Sequence, residues 1–252
     1  MDSTPLTEVA SFLSNPRPDV IVSACNAISS SLSSSDSLTV RTNAATYLEL
    51  DVPKKLSKLL TTPYDDSGLI GGKAINPVWK SRVQYAAANA CSALVGSAAE
   101  MGADAFVEAG VVGRAGEVLM EHAAAVQRVR GMMVNEEPRE ATESEKLVDA
   151  LVAFLANAAR TEAGCSAFLD KGSLLDKIVT EFTRNPSPHL FDCWQHGATV
   201  LMNVSQMERG RKVILKKVRS GQERKTRAAT KHLLFWCARN PTPYKHILLL
   251  TP

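Results

Sequence analysis

An asparagine set in an apolar helical run recurs four times along this chain, and that repetition limits the possible folds more than any other feature. The four segments are Ala24-Cys25-Asn26-Ala27-Ile28, Ala88-Asn89-Ala90-Cys91, Leu155-Ala156-Asn157-Ala158 and Leu201-Met202-Asn203-Val204. Each is followed by an aromatic or aliphatic pair: Tyr47-Leu48, Phe106-Val107, Phe168-Leu169 and Ile214-Leu215. Eleven positions separate Asn157 from Phe168, and eleven separate Asn203 from Ile214. A fifth unit keeps that interval from Trp236 to Ile247, with Trp in place of Asn. The step from Asn157 to Asn203 is 46 residues, inside the range of armadillo and HEAT units. A unit of this kind has an apolar face that it cannot bury alone, and stacking the units closes one continuous core. The sequence therefore predicts an all-α, armadillo/HEAT-like helical solenoid of about four to five repeats, forming a single domain over 1–252.

The period within each unit agrees. Leu147, Leu151, Phe154, Leu155 and Ala158 fall on one face of a helix, as do Val200, Leu201, Val204 and Met207. Alternating apolar and polar residues bounded by hairpin turns are not found, so almost no sheet is expected. Aromatics make up only 6% of the chain, so the core must rest on Ala, Leu and Val, which also favour helix. The longer intervals around Asn89 imply insertions. Two segments rich in Gly, Pro and charge, 61–77 and 131–145, are predicted as mobile loops, and the serine-rich stretch 29–37 as a third loop. The sequences after Val107 and Leu169 each predict a short helix, a glycine stop and a new helix. The repeated Asn26, Asn89, Asn157 and Asn203 are expected to be structural, each burying an amide that satisfies backbone groups at the turns between helices.

The chemistry-bearing motifs are sparse. The segment 68–74 has the look of a phosphate loop, but Ser67 stands where its first Gly belongs and Ala74 where it needs Ser or Thr. His189, Cys193 and His196 are close in sequence but lack the second paired cluster of a structural zinc site. With no nucleophile elbow, zinc helix or dinucleotide fingerprint, the expectation is no catalytic residue, no metal, no cofactor and no enzyme activity. The five cysteines are odd in number and widely spaced, which suits free thiols in a reducing compartment. Residues 1–8 lack a basic region followed by an apolar core, and no long apolar run occurs. A secretory leader and a membrane span are thus not expected, and the expected location is cytoplasmic.

Charge is distributed unevenly. Residues 209–231 hold ten Lys or Arg and one acid, Glu223, while the whole chain carries a net charge of only +3. Clustered cations repel one another unless an acidic partner compensates them. Lys216, Lys217, Arg219, Arg224, Lys225 and Arg227, around Gly221, are the candidate protein-binding residues. Stacking aromatics are absent from the run, which argues against nucleic acid.

The second half of the chain resembles the HGH-one homologue family of armadillo-type proteins. The segment NPSPHLFDCWQHGATVLMNVSQMERGRKVIL at 185–215 matches that family's Asn-Leu-Ser-Gln core followed by Gly-Arg and an aliphatic pair, with Asn203, Val204, Ser205, Gln206, Gly210 and Arg211 in those places. FLANAARTEAGCSAFL at 154–169 resembles the preceding repeat, RKTRAATKHLLFWCARNPTPYKHILL at 224–249 the next, and FLSNPRPDV at 12–20 the family's start. Arg227-Ala228-Ala229-Thr230 departs from the family's glycine-rich segment, and the family continues past the point where this sequence stops at Pro252. The resemblance implies a cytosolic adaptor that assists folding of a translation elongation factor, beside Hsp90-type chaperone machinery. Two other functions remain compatible with the residues: an armadillo-type nucleotide-exchange factor for Hsp70, and an RNA-associated protein using the basic run.

Overall fold

A computed structural model describes residues 4–61, 77–131, 142–170, 174–175 and 191–219. Among these residues every regular element is a helix: α1 (Thr4–Phe12), α2 (Pro18–Ser31), α3 (Ser37–Glu49), α4 (Val52–Thr61), α5 (Pro77–Glu108), α6 (Val111–Gly131), α7 (Glu143–Ala158), α8 (Glu162–Asp170), α9 (Phe191–Gln206) and α10 (Glu208–Arg219).

Local chemistry sets the helix ends. Pro18 opens α2, where its missing N–H costs nothing. The Asp36 carboxylate accepts from the N–H groups of Leu38 and Thr39 at the start of α3. Thr142 and Glu145 form a reciprocal capping box on α7: the Thr hydroxyl accepts from Glu145 N at 3.3 Å, and Thr142 N donates to Glu145 Oε2 at 2.7 Å. Asp51 and Gly110 take the left-handed conformation, at φ 58° and 69°, and end α3 and α5.

The helices stack in two rows. The four that carry the repeated Asn, α2, α5, α7 and α9, are successive neighbours in one row. The second row runs α1, α3, α4, α6, α8, α10, again with each helix packed on the next. This is the helical solenoid that the repetition implies, with α5 in the middle. Ala86, Ala87, Ala88, Ala90, Cys91, Leu94 and Val95 of α5 are all buried, because the helix has neighbours on several sides and small side chains let them approach. Larger groups fill the wider gaps, and the Phe106 and Phe154 rings meet at 5.4 Å, tilted by 56°.

Several boundaries differ from the sequence reading. Of the loop expected over 131–145, Gly131 closes α6, and Thr142 to Glu145 begin α7 through the capping box. Thr61 and Pro77 likewise belong to α4 and α5, and 62–76 lie outside the described residues. The serine-rich loop shrinks to 32–36, because Ser29, Ser30 and Ser31 remain in α2. The largest difference is α5. The sequence suggested a separate short helix around Phe106, yet α5 runs unbroken for 32 residues from Pro77 to Glu108 and carries both Asn89 and Phe106. In the later units the break does occur. Gly164 and Gly210 each stand seven residues beyond an Asn, and a Cβ at either would lie 1.9 Å from the carbonyl oxygen of Ala158 or Val204. Only glycine permits the reversal that follows α7 and α9. Gly96 holds the same place after Asn89, but nothing approaches its Cβ position closer than 3.6 Å, and the helix carries on.

Candidate binding groove

Three of the four repeated asparagines line one open groove of about 600 Å³ on the α2–α5–α7 row. Helical spacing puts them there. Asn26, Ser29 and Ser30 share one face of α2, and Asn89, Ser92, Ala93, Gly96 and Ser97 share one face of α5, with Asn157 entering from α7. Asn26 is exposed, while Asn89 and Asn157 are half-buried.

The asparagines do not act as turn-satisfying amides, which corrects the expectation drawn from the sequence. All three lie within helices, and neither Asn26 nor Asn89 makes a side-chain hydrogen bond among the described residues. Asn157 does bond to backbone, but across to the neighbouring helix: its Nδ2 donates to Ser92 O at 3.3 Å and to Ser92 Oγ at 3.1 Å. Asn203 occupies the fourth place, on α9, and its Nδ2 is buried with no hydrogen-bond partner. An isolated sequence cannot tell a buried turn amide from one presented on a groove, because both sit in apolar helical context.

The serines fasten the floor. Ser97 Oγ donates to Leu32 O at 3.4 Å, tying α5 to the end of α2, and Ser29 Oγ donates to Cys25 O at 3.1 Å. Gly96 keeps the floor low opposite Asn157. Behind the groove, burial pushes the Cys25 thiol up to about 12 and Cys91 well above its ordinary range, so both stay neutral. No lining residue is acidic, basic or nucleophilic at neutral pH. The groove can offer hydrogen bonds of both senses from amides and hydroxyls. Ser29, Ser92 and Gly96 were absent from the sequence-derived site, although a signal existed: Ser follows Asn26 and Asn89 at the third position, and Gly follows Asn89, Asn157 and Asn203 at the seventh.

The basic run is only partly described. Its first three cations are engaged within the molecule. Arg209 pairs with Asp170 at 2.8 Å, Lys212 with Glu208 at 2.6 Å, and Arg211 donates to the carbonyls of Ser205 and Gln206 at the end of α9. Lys216, Lys217 and Arg219 lie on the last turns of α10, with side chains outside the described residues. Arg224, Lys225 and Arg227 lie wholly outside them, as do Gly221, the unit from Trp236 to Ile247, the segment 68–74 and His189. Cys193 and His196 fall on α9. Among the described residues no cluster of His, Cys, Asp and Glu could hold a metal ion, and no helix is long and apolar enough to cross a membrane.

Comparison with solved structures supports the same class of fold. The chain is similar to an engineered protein whose crystal structure was determined as a Northeast Structural Genomics Consortium target, with a TM-score of 0.56 at 17% identity. The match covers 90% of this chain and 76% of the engineered one. Searches with protein-family profiles and against curated proteins return no match. The fold is an all-α helical solenoid with armadillo-like helix packing.

Proposed function

We propose that this chain is a protein-binding adaptor that holds an extended segment of another polypeptide along the amide-lined groove. The observation that carries this reading is the pair Asn26 and Asn89, presented from neighbouring helices with neither amide hydrogen-bonded among the described residues. A side-chain amide offers one acceptor and two donors, which complements the C=O and N–H of a peptide unit whatever its side chain. Packed helices stand about 8–10 Å apart. An extended chain rises about 3.3 Å per residue, so successive asparagines would meet peptide units two to three residues apart. The absence of acids, bases and nucleophiles in the lining supports binding over catalysis.

Within that class, the resemblance to the HGH-one homologue family supports a cytosolic co-chaperone for a translation elongation factor, working with Hsp90-type machinery. The intramolecular pairing of Arg209, Arg211 and Lys212 reduces the charge left for RNA. The test uses a partly unfolded translation elongation factor as the probe, with Hsp70 and a single-stranded RNA as comparators. The expected result is saturable capture of the elongation factor, weakened at least about tenfold by Asn26→Ala with Asn89→Ala, while the melting temperature stays unchanged. Accelerated nucleotide release from Hsp70, or salt-sensitive RNA binding without capture of the elongation factor, would replace this reading.

A further inference from the structure

One place in the groove has room for a side chain as well as a peptide unit. Gly96 is exposed on the groove face of α5. Apart from its own helix and chain neighbours, the one atom near the place its Cβ would take is Asn157 Nδ2, at 3.6 Å. A notch is therefore open over Gly96. Asn157 of α7 borders it on one side, and on the other stands Ser97, whose hydroxyl reaches the end of α2 at Leu32 O.

The polar atoms around this notch are fixed as acceptors. Asn157 Nδ2 donates to Ser92 O at 3.3 Å and to Ser92 Oγ at 3.1 Å. A backbone carbonyl only accepts, so the amide is held in one orientation with its N–H groups engaged. The remaining atom, Asn157 Oδ1, has no partner among the described residues and is not one of their buried unpartnered atoms. Ser97 commits its proton to Leu32 O at 3.4 Å, and Ser29 commits its proton to Cys25 O at 3.1 Å. Each of those oxygens keeps only lone pairs to offer. Ser92 retains its proton, but its hydroxyl can rotate to accept. Ser29 and Ser30 belong to the last turn of α2, which holds no basic residue. The negative end of that helix dipole is thus uncompensated from within its own helix. No Lys, Arg or His lines the groove to meet these acceptors.

We infer that the notch over Gly96 takes an Arg or Lys side chain of the bound segment, which donates to Asn157 Oδ1 on one side and to the serine oxygens on the other. This rests on the groove reading above and adds one side-chain requirement to a site that otherwise meets peptide units. Guanidinium and ammonium groups carry several donors and no acceptor, which matches a place whose fixed atoms all accept. An Asp or Glu there would set acceptor against acceptor. An apolar side chain would cover Asn157 Oδ1 and leave it without a partner.

A random dodecapeptide library displayed on phage serves as the probe. Selection on the wild-type chain should enrich Arg or Lys at one position about tenfold over the library. The most enriched peptide, and its copy with Ala at that position, are then titrated by fluorescence anisotropy, and the ratio of the two Kd values is read. Wild type should give a ratio of about ten. Gly96→Leu fills the notch and Asn157→Ala removes its acceptor, so each should bring the ratio down to about one to two. Asn26→Ala with Asn89→Ala should weaken both peptides at least about tenfold and preserve the ratio. Circular dichroism melting of each variant checks that the fold persists. Selection without basic enrichment, or a ratio that survives either Gly96→Leu or Asn157→Ala, would overturn the notch and leave the groove reading intact. No enriched peptide at all, or affinities unchanged by Asn26→Ala with Asn89→Ala, would overturn both.

Discussion

Equivalent residues in successive units do different physical work. Gly96 and Gly164 hold the same repeat position, yet substitution should act on them with opposite sign. A Cβ on Gly164 would meet Ala158 O at 1.9 Å. Gly164→Ala must therefore shift backbone and should cost about 2–3 kcal/mol. A Cβ on Gly96 meets only Asn157 Nδ2, at an ordinary 3.6 Å. Gly96→Ala should stabilise the chain by about 0.5–1 kcal/mol, the usual penalty of glycine inside a helix. Urea denaturation of the two variants separates these outcomes. The asparagines divide in the same way. Asn157→Ala removes both bonds to Ser92 and should cost about 1 kcal/mol. Asn203→Ala removes a buried donor that has no partner, so the midpoint should hold or rise by up to about 1 kcal/mol.

At the scale of elements, the capping box offers the cleanest test. Thr142 and Glu145 satisfy each other's backbone N–H, and the Glu145 side chain is buried. Thr142→Ala should cost about 1 kcal/mol, read as a lowered denaturation midpoint, and Thr142→Ser should restore most of it. This box was legible in advance, since Thr-x-x-Glu before an apolar run is a helix-start signature. Here the charged residues around it favoured a loop reading that extended three residues too far. The helical periods of α7 and α9 were equally legible, because Leu147, Leu151, Phe154 and Leu155 share one face and are all buried. The continuity of α5 was not. Gly96 has the composition of a stop, and whether the chain reverses after it depends on packing between α2 and α7 that no local window contains. The groove escaped for a related reason. Helical spacing gathers Asn89, Ser92 and Gly96 on one face, but only the stacking order leaves that face open.

For the whole molecule, the buried thiols set an alkaline limit. Burial pushes Cys25 up to about 12 and Cys165 up to about 11, from an ordinary 9.0, and Cys91 moves in the same direction. Unfolded, these groups lose protons as pH passes about 9, whereas folded they remain neutral, so the unfolded state gains stability over that interval. The denaturation midpoint should thus be flat with respect to these groups below pH 9 and fall between pH 9 and 12. A Cys25→Ala, Cys91→Ala, Cys165→Ala variant should show a shallower fall, measured by urea titration across that range. The unbroken α5 has a consequence of another kind. At 1.5 Å per residue its 32 residues make a strut about 48 Å long, and the strut joins what in the later units are two separate helices. Bending there means bending the helix itself, whereas α7 with α8 and α9 with α10 meet at sharp glycine-permitted joints. On the proposed binding role, a segment laid along the row would meet a fixed ruler under Asn89 and jointed plates under Asn157 and Asn203, with spacing rigid at one end and forgiving at the other.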